Sequence, residues 1–211
     1  MVALEASTGN AYAWGINTYG NLGDGTTASR SSPVSVLGGK SFSQLMSSGT
    51  HGNLFVVGIE GGTGNAYAWG FNTEGQLGNN ASTHQSSPVS VSGDRSYSQI
   101  FVNTGYTGLA QGSPVIAIEG STGNAYTWGR TWVPPILING FGGSSLQSSP
   151  VSVPGGRSWS TILAPVNMLL GIEGSTGLAY TWGQQTLGQL GNGADIFAAS
   201  PVSITNLVPN F

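Results

Sequence analysis

The side chains that could carry out acid–base or metal chemistry are few and scattered. The two histidines, His51 and His84, lie at non-equivalent places in polar segments. A histidine metal site needs convergent ligands, so both are interpreted as solvated loop residues. The absence of cysteine excludes disulfides, thiolate catalysis and Cys-ligated zinc, and no G-x-S-x-G nucleophile elbow occurs. The sequence therefore predicts that the protein is not an enzyme and has no catalytic residue, cofactor or metal site.

Four of the eight acidic residues recur at one position of a repeated segment: Glu5, Glu60, Glu119 and Glu173. A ring of such carboxylates could bind cations, but each also ends a predicted strand ahead of a glycine-containing turn. We favour the structural interpretation, in which each carboxylate accepts hydrogen bonds from that turn or pairs with a Lys or Arg of the repeat. Asp24-Gly25-Thr26 resembles part of a calcium loop, but calcium takes about six to eight oxygens, so a turn is expected there.

The carboxylates belong to a unit that recurs four times along the chain. Its most regular part is Gly-Asn-Ala-Tyr-(Ala/Thr)-Trp-Gly, found at residues 9–15, 64–70, 123–129 and, with Leu for Asn, 177–183. A second segment, Ser-Pro-Val-Ser-(Val/Ile), follows in phase each time. The tryptophans lie 54 to 59 residues apart. A period of that size with strand-like content predicts propeller blades or β-solenoid coils.

The local signals within a unit predict short strands and tight turns. Two apolar runs joined by a Thr-Gly turn, as around Ile59 and Tyr67, predict a hairpin. The Asn-x-x-Gly-x-Leu-Gly segment that follows, as in 17–23, predicts an ordered loop because its glycines permit positive φ. The proline of Ser-Pro-Val should open an edge strand, since it cannot donate to a ladder. The last strand carries a basic residue and an aromatic, as in Lys40 and Phe42.

No helical periodicity is visible, so the fold class is predicted to be all-β. The predicted architecture is a β-propeller-like array of four antiparallel blades, one of them incomplete. The chain is treated as a single repeat domain, 1–211, with units at approximately 1–53, 54–113, 114–168 and 169–211. A carbohydrate-stacking role is the alternative for the repeated Tyr and Trp, but exact recurrence favours packing. Equivalent, mostly buried positions between blades are expected for Trp14, Trp69, Trp128 and Trp182.

The order of these motifs resembles the repeat of the regulator of chromosome condensation family. The shared features are Tyr-x-Trp-Gly, then Asn-x-x-Gly-x-Leu-Gly, then Ser-Pro-Val and a strand with a basic residue and an aromatic. The resemblance implies β-propeller blades of four strands each. It would also suggest an exchange-factor-like regulator, but this chain has four units where the namesake has seven, and it lacks the namesake's basic character. The nucleotide-exchange and chromatin activities are therefore not carried over.

Composition limits the possible partners. Charged residues make up 6% of the chain, with 5 basic and 8 acidic residues and a net charge of −3. No basic patch is available to neutralise phosphates, so nucleic-acid binding is not expected. No apolar run is long enough for membrane insertion, and no secretory signal is visible. Low charge with many Gly, Ser, Thr and Asn residues favours an extracellular or particle-surface location.

Two departures from the repeat are candidate interaction sites. In unit three the glycine-rich loop is replaced by an apolar run: Trp132, Val133, Pro134, Pro135, Ile136, Leu137 and Ile138. Such a run marks an interface if exposed, or folds over its own blade, and both alternatives stay open. Aligning the two chain ends leaves no counterpart for 43–55, so one blade should lack a strand and expose an edge. The terminal residues assigned to that edge are Val2, Leu4, Leu207 and Phe211.

The leading functional hypothesis is a non-enzymatic, structural β-propeller module that self-assembles into a filament or sheath through its terminal blade edges. Its expected partners are copies of itself. The alternative hypothesis is a ligand- or receptor-binding propeller that recognises a glycan or another protein. A mass measurement in solution across concentrations separates the two, since saturable ligand binding by a monomer favours the alternative.

Overall fold

The computed structural model describes residues 1–48, 53–102, 114–130, 146–165, 168–183, 188–193 and 197–204. In these ranges the chain forms fifteen β-strands and no helix, and nothing helical there is long and apolar enough to cross a membrane. The strands, numbered in chain order, are β1 (Val2–Leu4), β2 (Ala11–Gly15), β3 (Arg30–Ser35), β4 (Phe42–Ser48), β5 (Phe55–Glu60), β6 (Ala66–Gly70), β7 (Gln85–Ser90), β8 (Tyr97–Val102), β9 (Val115–Glu119), β10 (Ala125–Arg130), β11 (Leu146–Ser152), β12 (Trp159–Leu163), β13 (Met168–Glu173), β14 (Ala179–Gly183) and β15 (Ala198–Ser203).

The strands form four antiparallel sheets, which we call blades one to four. Blade one has three strands in the order β1-β2-β3. Blade two is β4-β5-β6-β7, blade three β8-β9-β10-β11 and blade four β12-β13-β14-β15. The prediction of four antiparallel blades, one of them incomplete, is confirmed. Among the described residues blade one lacks the counterpart of β4, β8 and β12, the strand that the alignment of the chain ends left without an equivalent.

The first strand of each complete blade lies on the inner side of the array, against the first strand of its neighbour. Gln44 of β4 donates from Nε2 to the Ile100 carbonyl of β8 at 2.7 Å and accepts from the Ile100 amide at 2.9 Å. Gln99 of β8 donates to the Ser160 carbonyl of β12 at 2.8 Å. We call these inner strands, and β3, β7, β11 and β15 outer strands. Each inner strand comes from the end of the preceding sequence unit, so blades and units are offset by one strand.

The hydrophobic core lies between blades. The cluster between blades one and two combines Ala11 of β2 with Phe42, Val56 and Trp69 of the next blade. Two larger clusters contain the tryptophans of blades three and four. The tryptophans of blades two to four are at most 1% exposed, which confirms their predicted burial between blades. Because each cluster draws on two sheets, a blade depends on its neighbours to bury its faces.

The outer strands differ from the prediction in one respect. Pro33 lies inside β3, so the prediction that the proline opens the strand is wrong. Beside it the register shifts, since Ala13 pairs with Val34 while Gly15 pairs with Arg30. The same shift occurs in the other three blades. A bulge on an edge strand leaves a residue outside the ladder, and a residue without an amide hydrogen is tolerated there.

Candidate functional site

Neighbouring blades are joined by the loop that precedes the outer strand of a blade, which we call the junction loop: 17–23 in blade one, after β2, and 72–78 in blade two, after β6. A buried asparagine organises each loop. Asn17 accepts a hydrogen bond from the Leu22 amide at 2.9 Å. Its Nδ2 donates to the carbonyls of Thr26 and Ala28 at 3.0 and 3.1 Å. Asn72 makes the equivalent bonds in blade two, so the predicted ordered loop is confirmed.

Each junction loop forms a socket for the tryptophan of the next blade. Gly23 has a φ of +70°, and a Cβ on it would lie 2.7 Å from Nε1 of Trp69. Gly78 stands in the same relation to Trp128. Nε1 of Trp128 also donates to the Gln76 carbonyl at 3.0 Å. The close approach and the positive φ together explain the glycine at the end of the loop motif.

The chain just beyond the loop also contacts the outer strand of the next blade through the backbone. The Gly25 amide donates to the Ser86 carbonyl of β7 at 2.8 Å. The Asn80 amide donates to the Ser148 carbonyl of β11 at 2.7 Å. Both donors have positive φ, +79° and +62°. The blade junction is therefore directional, with a loop on one side and a tryptophan and outer strand on the other.

One pair of side chains differs between the two described junctions. Tyr19 of the first loop contacts Phe71 of blade two, with ring centroids 5.0 Å apart. At the next junction Glu74 and Arg130 hold the same places and form an ion pair at 2.9 Å. The pair is aromatic at one junction and charged at the next, so it can determine which blade faces pack together.

Blade one presents the tryptophan side of this contact, which we call the head face and define by Trp14, Ile16 and residues 31–33. Ile16 is 58% exposed, whereas Phe71 at the same position of blade two is 8% exposed. Residues 31–33 are exposed, and their counterparts in β7 and β11 are half-buried. Trp14 is half-buried, so the expectation that its position is equivalent to those of the other three tryptophans is wrong. The reason is that no described junction loop packs on it.

Blade four presents the loop side in residues 188–193, which we call the tail face. Gly188, Gly191 and Gly193 have φ of +73°, +62° and +76°, close to the values at the same positions of blade one. A Cβ on Gly188 would meet nothing within 4 Å, and one on Gly191 would meet only Ile204, at 3.4 Å. The backbone of the socket is formed here, and no described tryptophan occupies it.

A second repeated arrangement surrounds the repeated carboxylates. In blade two Nζ of Lys40 lies 3.2 Å from Glu60 and 3.7 Å from the centre of the Tyr67 ring. The tyrosine packs against the cluster between blades one and two, as expected, and its ring also faces a cation of its own blade. The same arrangement recurs in blade three with Arg95, Glu119 and Tyr126, and in blade four with Arg157, Glu173 and Tyr180.

These contacts favour the charged forms of the groups. Hydrogen bonds from Thr63 and from Lys40 hold the pKa of Glu60 below its ordinary value. Contact with Tyr67 and with Glu60 raises the pKa of Lys40. The pKa of Glu173 is lowered in the same way, first by its turn threonine and then by the arginine of its blade. The structural interpretation of the repeated carboxylates is confirmed at these positions.

Blade one has the carboxylate and the tyrosine of this arrangement, Glu5 and Tyr12, without the cation. Glu5 accepts hydrogen bonds from Thr8 and Asn10 of its turn. All five Lys and Arg residues of the chain form ion pairs elsewhere: Arg30–Asp24, Lys40–Glu60, Arg95–Glu119, Arg130–Glu74 and Arg157–Glu173. In the part of the chain that the structure describes, Glu5 is therefore the one repeated glutamate without an ion pair.

The turn at Asp24 is held by hydrogen bonds. Its carboxylate accepts from the Thr26 amide at 3.0 Å and hydroxyl at 2.8 Å, and from Nε of Arg30 at 3.0 Å. Burial opposes the charged form, but hydrogen bonds from Thr26, Arg30 and Asn17 lower the pKa of Asp24. No three His, Cys, Asp or Glu side chains converge within the described ranges. The predicted turn is thereby confirmed.

His84 is an exposed loop residue, as the sequence predicts, and it also makes contacts within the blade junction. Its Nδ1 accepts a hydrogen bond from the Asn72 amide at 3.0 Å. Its ring lies 5.0 Å from that of Phe71 and 4.5 Å from that of Tyr19. Burial of the ring lowers the pKa of His84, although the residue keeps exposed surface. Phe71 follows β6 of the same blade and Tyr19 comes from the junction loop of blade one, so the polar residues next to His84 in sequence did not reveal these neighbours. His51 lies outside the described residues.

Acidification should destabilise the fold through His84, because protonation of Nδ1 removes the acceptor of the Asn72 amide. The folded-state pKa lies below the unfolded one, so the destabilisation is absent well above about pH 6.5 and grows as the pH falls below it. Ser29 holds the same place in blade one and accepts from the Asn17 amide at 3.2 Å, so His84→Ser is a matched, non-titrating control. Between about pH 7.5 and 5.5, Tm should fall about 1 °C more in the parent than in His84→Ser. Equal slopes would contradict this role.

The residues that the sequence marked for interaction are only partly described. Val2 and Leu4 lie in β1, half-buried against the cluster that contains Trp69. Ile16 and residues 31–33 were not predicted from the sequence, although unit two has an aromatic residue at the place of Ile16, which could have indicated it. The remaining marked residues lie outside the described ranges, so their role stays a prediction: Trp132, Val133, Pro134, Pro135, Ile136, Leu137, Ile138, Leu207 and Phe211.

The chain is similar to known proteins in its repeat sequence and in its fold. The Regulator of chromosome condensation (RCC1) repeat matches residues 8–56 and 63–107. E3 ubiquitin-protein ligase HERC2 of Mus musculus is 27% identical over 209 residues, which cover 97% of this chain and 4% of that protein. Human WBSCR16 superposes with a TM-score of 0.68 at 20% identity, over 98% of this chain and 50% of that one. Prp20p of Saccharomyces cerevisiae superposes at 0.65 and 17% identity, over 96% and 48%.

The chain thus spans a small part of HERC2 and about half of each of the two solved chains. At this identity the solved structures show that the fold is shared. The repeat match covers the first two units, and blades three and four repeat the same strand order and the same ion-pair arrangement. The chain is a β-propeller-type array whose repeats are similar to the RCC1 repeat.

Proposed function

We propose that this chain is a non-enzymatic structural module that binds copies of itself, the head face of one copy against the tail face of the next. The observation that carries the proposal is that the two end faces are the two halves of a contact that the chain already makes between its own blades. Blades of a repeat array bury their faces against neighbours on both sides. A second copy would supply such a neighbour to each end face.

The internal junctions indicate how the two faces would meet. Trp14 would enter the socket at Gly191, as the tryptophan of blade two enters the socket of blade one. The Gly193 amide would donate to the Ser31 carbonyl, as Gly25 donates to its acceptor in β7. Each proposed contact uses the same kind of atom, in the same strand or loop position, as a contact observed within the chain.

The side-chain pair that differs between the two described junctions, which we call the variable side-chain pair, would also be compatible between the head face and the tail face. Ile16 occupies the place that Phe71 and Arg130 hold in blades two and three. In sequence, the loop position opposite it in unit four is Leu187, which lies outside the described residues. The end faces would therefore meet through an apolar pair, as at the first junction, and a blade with an arginine at this place would not match. This pairing favours head-to-tail order over other contacts between copies.

Head-to-tail contacts are heterologous, so they close into a ring if the rotation per copy allows it and otherwise extend into a filament. The chain covers about half of each solved chain that it resembles. Two copies therefore supply about one full turn of blades, and a closed pair would be the smallest product. The low charge of the chain, 6% of its residues, supports the proposal that the assembly lies outside the cell or on a particle surface.

Binding of an unlike protein is a second candidate function. The structure of Prp20p was reported together with its binding properties to Gsp1p and histones. A second structure shows Kap60 bound to yeast RCC1 (Prp20). Those proteins share the fold with this chain, which supports protein binding as the use of an RCC1-type array. An unlike protein bound at the head face would compete with self-association. A measurement of mass in solution therefore distinguishes the two functions.

Light scattering across a concentration series tests self-association. The parent chain should show a mass that rises above the monomer, either to a plateau at two copies or without limit. Ile16→Arg should shift the midpoint of that rise to at least about tenfold higher concentration, because it places a charge against an apolar partner. Leu178→Arg is the matched control, since Leu178 is 53% exposed in the β13–β14 turn, away from both end faces. A strict monomer at all concentrations would contradict the proposal.

A further inference from the structure

The inner strands of blades two to four show what a complete blade contains at the edge that blade one leaves open. In blade two, Lys40 lies just before β4, separated from it by Ser41, and contacts both Glu60 and Tyr67. Two residues later, Phe42 begins the strand and pairs opposite Glu60. An inner strand therefore brings to its blade a cation, an aromatic ring two residues further on, and a row of main-chain hydrogen bonds.

Blade one presents the complementary half of this arrangement. Among the described residues β1 pairs only with β2, so its other edge offers main-chain groups for pairing. Glu5 and Tyr12 hold the places of the glutamate and tyrosine that bind the cation, and Tyr12 is partly exposed. The five Lys and Arg residues are all paired elsewhere, and residues 205–211 contain none.

We propose that the open edge of β1 binds an extended segment of a partner protein that carries Lys or Arg two residues before an aromatic residue. The segment adds to blade one as a fourth, antiparallel strand. Its cation lies between the Glu5 carboxylate and the Tyr12 ring, and its aromatic residue stands opposite Glu5. A basic segment is also complementary to a chain whose net charge is −3.

The residue that faces the aromatic ring indicates which ring fits. Blades two and four have a glycine there, Gly58 or Gly171, and a Cβ on it would lie 2.8 or 2.5 Å from the ring of the inner-strand aromatic. Blade three has Ala117 at this place, and its aromatic is Tyr97. Blade one has Ala3, so blade three is its closest template. The expected segment is therefore Lys or Arg, one residue, then Tyr.

This site does not rest on the proposed self-association. In blade two, the inner strand β4 and the junction loop of blade one are both in place. One blade therefore accommodates an inner strand and a neighbouring loop at the same time. The monomeric head-face variant Ile16→Arg should bind the segment as well as the parent does, so loss of self-association and loss of segment binding are distinguishable.

The probe is a labelled peptide with the sequence of residues 93–102, the inner strand of blade three. Fluorescence anisotropy against the intact chain should give saturable binding of one peptide per chain. The peptide change Arg95→Met and the chain variant Glu5→Gln should each raise Kd about fivefold to tenfold, and their combination should raise it little further. Glu5→Gln keeps an acceptor for Thr8 and Asn10, so the turn should persist. Asp94→Asn in the chain is the control, since Asp94 is exposed on another blade.

Hydrogen exchange locates the peptide. Bound peptide should slow exchange of the amides in β1 and leave the outer strands unchanged. Charge reversal should rescue binding, so that Glu5→Lys binds the Arg95→Glu peptide more tightly than the parent chain does. Absence of saturable binding, or binding that is indifferent to Glu5→Gln, would overturn the proposal, as would protection elsewhere than β1.

Discussion

Replacing Gly78 with alanine is expected to lower the free energy of unfolding by about 2–4 kcal/mol. A Cβ here would lie 2.7 Å from Nε1 of Trp128, a side chain that is 1% exposed and has no room to retreat. The φ of +65° adds about 1–2 kcal/mol of backbone strain for any residue with a Cβ. Overpacking of the indole accounts for the remainder.

Gly191→Ala is the matched control, because Gly191 has the same place in the loop motif and a φ of +62°. Its Cβ would meet only Ile204, at 3.4 Å, so about 1 kcal/mol should be lost, from backbone strain alone. Urea denaturation at a concentration where the chain is monomeric measures both values. At higher concentration Gly191→Ala should also weaken self-association, because Trp14 of the next copy needs the same space. Equal destabilisation by the two variants would contradict the assignment of the socket.

The fold could be predicted from the repeat because the same local sequence features recur in each blade. Positive-φ glycines, the Thr-Gly turn and the in-phase Ser-Pro-Val segment fix turns and strand ends within a unit. The period then fixes the number of blades. The missing inner strand of blade one also followed from the sequence, since aligning the chain ends left 43–55 without a counterpart.

The environments that differ between equivalent positions could not be predicted in this way. Trp14 and Trp69 have the same sequence neighbours, and their different exposure arises from whether a junction loop packs on them. His84 lies in a polar segment and gains Tyr19 as an aromatic neighbour from another blade. The cation over Tyr67 is similar, because Lys40 lies 27 residues away in sequence and is brought there by the pairing of β4 with β5. All three environments depend on contacts between elements that are distant in sequence, and local sequence patterns do not show such contacts.

Exchange of the variable side-chain pair tests head-to-tail association most directly. Ile16→Arg and Leu187→Glu would place at the two ends the ion pair that Arg130 and Glu74 form inside the chain at 2.9 Å. Each substitution alone leaves a charge against an apolar side chain, so each should raise the dissociation constant of self-association at least about tenfold. Carried together in one chain, they should restore it to within about threefold of the parent.

The deciding measurement is light scattering of the parent, the two single variants, the double variant and an equal mixture of the single variants. Head-to-tail packing predicts association of the parent, loss in each single variant, and recovery in the double variant. It also predicts recovery in the mixture, because alternating copies pair each charge with its opposite and leave the apolar pair intact. A monomeric parent, or a double variant and a mixture that stay as weak as the single variants, would contradict head-to-tail packing.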